Sequence, residues 1–250
     1  MLSSRILKGG ALIEESRILV ERWDTQVSSG ENLSRLVEQN ALAKRSQSRA
    51  KDVLHSVLRA RLVDPGPELI PALKELVAHP RGFVEACYFE ACRADDLLAR
   101  YAEEALWQWY ESGRIGISVE ETIDWIDQVV AAGGLPDWTS NVRGRAARGL
   151  LATTRDFGVL RGAARKELAP PRLSPTGFSY VAFRLHQQGV SAGALAKSHV
   201  WRRWLLDQAE VDQLFAEAAH LGILRQSRAG SVIRVDWEVP SLVEVAHALA

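Results

Sequence analysis

Apolar residues return every three or four positions along most of this chain, the period of an α-helix rather than the two-residue period of a strand. Apolar residues at 12, 13, 18, 19, 20 and 23 predict an amphipathic helix over 10–27, with Ile13, Leu19 and Trp23 inward and Gly30 breaking it. A second helix is predicted from Asn32 as N-cap, through Leu33, Leu36 and Val37, to Asn40. After a short connection Ser46 offers the cap of a longer helix. Its Val53, Leu54, Val57, Leu58 and Leu62 form an i, i+4 ladder that Asp64, Pro65, Gly66 and Pro67 end. Pro71 suits the first turn of the next helix, closed near Pro80. Residues 82–112, with Phe83, Phe89, Leu97, Tyr101, Leu106 and Trp109, predict one or two long core helices whose aromatic stripe serves packing.

Ser118 and Glu121 form a capping box that opens a helix to about Ala132. A turn from Gly133 follows, and Thr139 or Ser140 caps a second helix. Its exposed face collects Asn141, Arg143, Arg145 and Arg148, while Val142, Ala146, Leu150 and Leu151 face the core. From Phe157 to Pro171 the pattern fits either a small hairpin or a loop. Beyond Pro175 helices are predicted over 178–187, within 189–197 and over 209–221. Two short strands around a Gly-containing turn (223–237) and a last helix from Pro240 complete the chain. Three helices followed by a hairpin is the order of a winged helix. The expected fold is therefore all-α: a helical domain over 1–172 with helix-turn-helix-like segments at 32–63 and 118–155, and a winged-helix-like unit with a short β-hairpin over 173–250.

Composition is that of an ordinary globular protein, 47% apolar and 25% charged over 250 residues, so no staples are needed for a core. Cys87 and Cys92, five apart on a helix, point to different faces and read as reduced thiols. The N-terminus has no signal-like apolar run and no 18-residue window is free of charge, from which a cytoplasmic, membrane-free protein is expected. Net charge is zero, but its distribution is uneven. Residues 32–62 carry seven basic side chains (Arg35, Lys44, Arg45, Arg49, Lys51, Arg59, Arg61) against Glu38 and Asp52. Residues 138–166 carry seven more (Arg143, Arg145, Arg148, Arg155, Arg161, Arg165, Lys166) against Asp156 alone. The rest is acidic, with seventeen positive and twenty-eight negative groups.

Reactive groups do not converge. The six histidines are scattered, none has zinc-ligand spacing to the cysteines, and no phosphate-binding loop or dinucleotide fingerprint is present. Glu14 with Glu15, Glu103 with Glu104, and Glu120 with Glu121 read as solvated helix faces, because adjacent helical residues diverge by roughly 100°. No catalysis, metal or cofactor is expected.

The basic segments instead suit duplex nucleic acid. A recognition helix sits in a major groove about 12 Å wide with its N-terminal half against the bases. Gln47, Ser48, Arg49 and Lys51 occupy that half of one helix, with Lys44 and Arg45 in the preceding turn placed for phosphates; Asn141, Arg143, Arg145 and Arg148 occupy it in another. Helices selected only for solubility mix charge signs more evenly. The third C-terminal helix fails this test, since Asp207, Glu210, Asp212 and Glu217 would repel phosphate, leaving Arg225, Arg228 and Arg234 of the hairpin.

The opening from Ser4 through Gly9 and Gly10 to Arg17, and the ending from Gly222 through Gly230, Trp237 and Pro240 to Val245, resemble the BrxA family of bacteriophage-exclusion (BREX) defence systems. The resemblance implies a small, monomeric, all-helical protein with helix-turn-helix elements and basic patches that binds double-stranded DNA beside a methyltransferase and other BREX proteins. Two other readings stay open: a protein-interaction scaffold whose arginine faces meet an acidic partner, and a helical RNA-binding protein of the antitermination-factor type.

Overall fold

The computed structural model describes residues 2–229 and 232–249. Helices dominate, as the 3.6-residue period predicts. The N-terminal part contains α1 (Ile13–Arg22), α2 (Ser29–Glu38) and α3 (Gln47–Asp52), which runs without a break into a π-helical stretch over Val53–Val63. Next come α4 (Leu69–Leu76), α5 (Pro80–Ala94) and α6 (Asp96–Arg100). A second π-helical stretch, Tyr101–Leu106, leads into α7 (Trp107–Glu111). Of the one or two long helices predicted over 82–112 the structure has a divided run, interrupted at Asp95, whose extended backbone (φ −137°) ends α5 and whose side chain caps α6 through Leu98 N.

Cap chemistry explains most boundaries and corrects one. α2 begins three residues before the expected Asn32, because Ser28 and Glu31 form a reciprocal capping box. Asn32 is buried instead, donating to Asp24 O at 2.7 Å and accepting from Asp24 N at 2.9 Å. α1 is shorter than its pattern predicts, starting after Leu12 in the left-handed region (φ 53°). Ser46 caps α3 through Arg49 N, and Ser118 and Glu121 form the expected capping box of α8 (Val119–Ala131).

After α7 a two-residue strand, β1 (Gly116–Ile117), precedes α8. Then come α9 (Ser140–Asp156), β2 (Leu160–Arg161) and β3 (Lys166–Leu168). The stretch after Phe157 is thus a hairpin, and it adds to β1 in an antiparallel sheet of order β1-β3-β2. The C-terminal part holds α10 (Pro175–Gln187), α11 (Ala192–Ala196), a 3-10 turn His199–Trp204, α12 (Gln208–His220), the hairpin β4 (Leu224–Ala229) and β5 (Val232–Trp237), and α13 (Leu242–Ala248). Gly230 and Ser231 of its turn, and the Arg228 side chain, lie outside the described residues.

One contiguous apolar core runs from Ile6 to Ala246, so burial does not stop at residue 172. α13 packs on α4 and α10 on α5. Across that junction Arg184 meets the wholly buried Glu90 at 2.9 Å, and Glu90 also accepts from Tyr180 Oη at 3.0 Å and from Arg93 Nε at 2.6 Å. Among the described residues no helix is long and apolar enough to cross a membrane.

Candidate nucleic-acid interface

The two predicted segments fold as helix pairs: α2 with α3, and α8 with α9. What joins them is an N-terminal strap, residues 2–11. Leu2 N donates to Gly134 O in the α8–α9 turn at 2.8 Å, and Leu97 N donates to Ser3 O at 3.2 Å. Ile6 N donates to the buried Asp95 carboxylate and the Ile6 side chain packs on Gly149 of α9, where a Cβ would lie 3.5 Å from it. Two residues on, Lys8 Nζ reaches Asp52 of α3 at 3.4 Å, and Arg49 Nη2 donates to Lys8 O at 2.8 Å. Gly10 then approaches Thr153 of α9. Arg61 clamps the end of the strap, its Nη1 donating to Gly10 O and Ala11 O at 3.0 Å each. α3 and α9 are therefore held at fixed positions on either side of one strap.

Several basic side chains are taken up internally. Arg61, counted in the first basic segment, is 2% exposed and belongs to the core; burial lowers its pKa, and its Nε and Nη2 make no hydrogen bond. Arg35 pairs with Asp24, Lys44 with Glu15, Arg59 with Asp64, Arg155 with Asp156 and Arg161 with Glu167. Arg143 donates to Trp138 O at 2.7 Å and to Asp127 and Asp137 at 2.8 Å each. Its guanidinium thus ties α8, the turn and α9 together, and every branch of it is occupied.

Of the expected site residues, Arg45, Gln47, Ser48, Arg49, Lys51, Asn141, Arg145 and Arg148 are exposed, whereas Lys44 and Arg143 are half-buried. Arg49 keeps about half of its side-chain surface in solvent while paired with Asp52 at 3.1 Å. The Asp52 carboxyl is held below its ordinary range, first by the Ser56 hydroxyl and then by Lys8 and Arg49. Among the described residues, the side chains of Arg45, Lys51, Arg145, Arg148 and Arg165 make no hydrogen bond or ion pair, unlike the other basic residues of the two segments. Arg145 lies one turn before Gly149 and two before Thr153, on the stripe of α9 that meets the strap.

Two acidic readings change. Glu103 is not a solvated face: it pairs with the buried Arg203 at 2.7 Å and with His199 at 3.2 Å. Glu121 is engaged by the cap of α8 and by Arg114. The acids of α12 keep their predicted place, Asp207 and Glu210 forming its capping box, and the hairpin arginines Arg225 and Arg234 pair with Glu238 and Asp236. Lys8 and β1 escaped the sequence pattern. A single lysine and a two-residue strand carry no periodicity, and only the hairpin flanked by Leu160 and Leu168 left a readable turn signal. Among the described residues no group of three or more His, Cys, Asp or Glu could hold a metal ion.

Comparison with known proteins adds a family and a fold. The BrxA family model matches residues 2–184. A crystal structure of an uncharacterized protein from Magnetospirillum magneticum is similar in fold, with a TM-score of 0.63 at 18% identity, covering 81% of this chain and 97% of that one. No curated protein matches the sequence.

Proposed function

Since this chain belongs to the BrxA family and is thereby a protein of BREX bacteriophage defence, we propose that it serves that system as a non-enzymatic subunit that binds double-stranded DNA through α3 and α9. The observation that carries this reading is two exposed sets of cations without an internal partner among the described residues, Arg45 in the turn before α3 with Lys51 on it and Arg145 with Arg148 on α9, both helices being tied to one strap. Cations left without a carboxylate, on a chain whose remaining residues carry more acidic than basic groups, suit a polyanion more than solubility alone. A strand before α8 and a hairpin after α9 support reading this pair, too, as winged-helix-like. Phosphate contacts would supply the affinity and few side chains would read bases, so weak sequence preference is expected.

The test is duplex binding against salt for the wild type, Arg145→Glu/Arg148→Glu and Arg45→Glu/Lys51→Glu. The wild type should lose affinity steeply as salt rises, and each double variant should lower the log–log slope by about 2. Duplex RNA should bind more weakly, because its deep, narrow major groove excludes a helix. Absence of wild-type binding at low salt would remove the proposal and move these faces to an acidic protein partner.

A further inference from the structure

The hairpin after α9 is short, basic and rigidly placed. Its tip runs from Gly162 to Arg165. Gly162 has φ 90°, and a Cβ there would lie 2.1 Å from Arg165 O, so the turn is closed more tightly than any larger residue permits. Ala163 and Ala164 add only methyl groups, and all four tip residues are exposed. At the base, Arg161 is held by Glu167 at 3.2 Å and Lys166 Nζ donates to Ala163 O. Arg165 has no such partner among the described residues; its guanidinium lies over Gly116, where a Cβ would stand 3.2 Å away. The hairpin is fixed to the helix pair at both ends. β3 pairs with β1 (Gly116↔Glu167, Ile117↔Lys166), which leads straight into the Ser118 cap of α8, and Val159 N donates to Thr154 O of α9 at 2.9 Å. Between hairpin and α9 opens a cleft of about 1080 Å³ whose lining includes Ser118, Glu120, Arg148, Leu151, Arg165 and Lys166.

We propose that the 162–165 tip enters the minor groove of the duplex whose major groove receives α9, so that the intervening sugar–phosphate strand lies in this cleft between Arg148 and Arg165. The proposal rests on the DNA-binding reading above and assigns it a second point of contact. A major groove about 12 Å wide admits a helix, whereas a minor groove about 6 Å wide admits only a slim element. A tip of one glycine and two alanines is slim enough. An arginine without a carboxylate partner is the side chain that a narrow minor groove, with its enhanced negative potential, attracts most. Because adjacent grooves share one backbone strand, two rigidly joined elements in neighbouring grooves must straddle it, and the cleft separates them at that place. Glu120 is the exposed carboxylate that opposes this arrangement, since Glu121 is already engaged.

The experiment measures fluorescence anisotropy on an A·T-rich duplex, with and without a minor-groove-binding polyamide, for the wild type, Arg165→Gln, Glu120→Gln and Arg145→Glu, each checked by thermal melting. Filling the minor groove should weaken wild-type binding about tenfold. Arg165→Gln should already be weaker by about that factor, have a salt slope lower by about 1, and be insensitive to the polyamide. Glu120→Gln should bind severalfold tighter. If Arg145→Glu loses binding while the wild type ignores the polyamide and Arg165→Gln binds normally, the hairpin proposal falls and α9 acts alone. If no protein binds the duplex, the DNA-binding reading itself falls. The polyamide arm uses the unaltered chain, so it decides even if Arg165→Gln is misfolded.

Discussion

Arginines that look equivalent in the sequence divide by what surrounds them. Arg143 and Arg145 are two positions apart at the start of α9, yet Arg143 is spent on Asp127, Asp137 and Trp138 O while Arg145 faces solvent. Arg143→Gln should therefore lower stability by about 1 kcal/mol in denaturant titration, a modest figure because the Asp137 side of the network is open to water. It should weaken duplex binding less than Arg145→Gln does. Asp52 works in the opposite sense, as a carboxylate that occupies Lys8 and Arg49. Asp52→Asn keeps an acceptor for Ser56 and removes the charge, so affinity for duplex DNA should rise severalfold with a steeper salt dependence; unchanged binding would show that α3 lies outside the interface. Charge counting from sequence found Arg49, Asp52, Arg143 and Arg145 but could not tell free from engaged. Asp137 comes from a turn and Lys8 from a segment forty residues away, and no local pattern encodes such pairings.

At the scale of elements, caps decide where the basic faces begin. Thr139 accepts from Val142 N and caps the start of α9. Thr139→Ala should cost about 1 kcal/mol and fray the turn that carries Asn141, while Thr139→Ser should retain most of it; thermal unfolding and binding measured together would separate the two effects. The helices were legible because amphipathic period and cap residues agree at Ser46, Ser118 and Thr139. Where they disagreed, local chemistry won. The 10–27 pattern outran its helix because Leu12 takes a left-handed conformation, and Asn32 was outcompeted by the Ser28 and Glu31 pair. The sheet was legible only in part. β2 and β3 could be suspected from the glycine turn, but β1 exists through pairing with residues fifty positions away.

For the whole molecule, the core sets chemistry as well as stability. Burial pushes both Cys87 and Cys92 thiols up to about 12. They should resist alkylation at pH 8 in the native state and react together only when the core opens, at a rate that follows denaturant-induced unfolding. An unfolded thiol loses its proton near pH 8.5 or about there, whereas the folded ones keep theirs to about 12. Stability should therefore decline as pH climbs through that window and level off above it. Rapid alkylation of the folded protein would contradict the close packing around α5. The strap has a temporal consequence. Residues 2–11 leave the ribosome long before α9 exists, yet their resting place is made partly of Gly149 and Thr153. A nascent chain can carry the first basic helix without the spacing that aligns it with the second, so under the proposed DNA-binding function an unfinished polypeptide should hold a duplex more weakly than the complete chain.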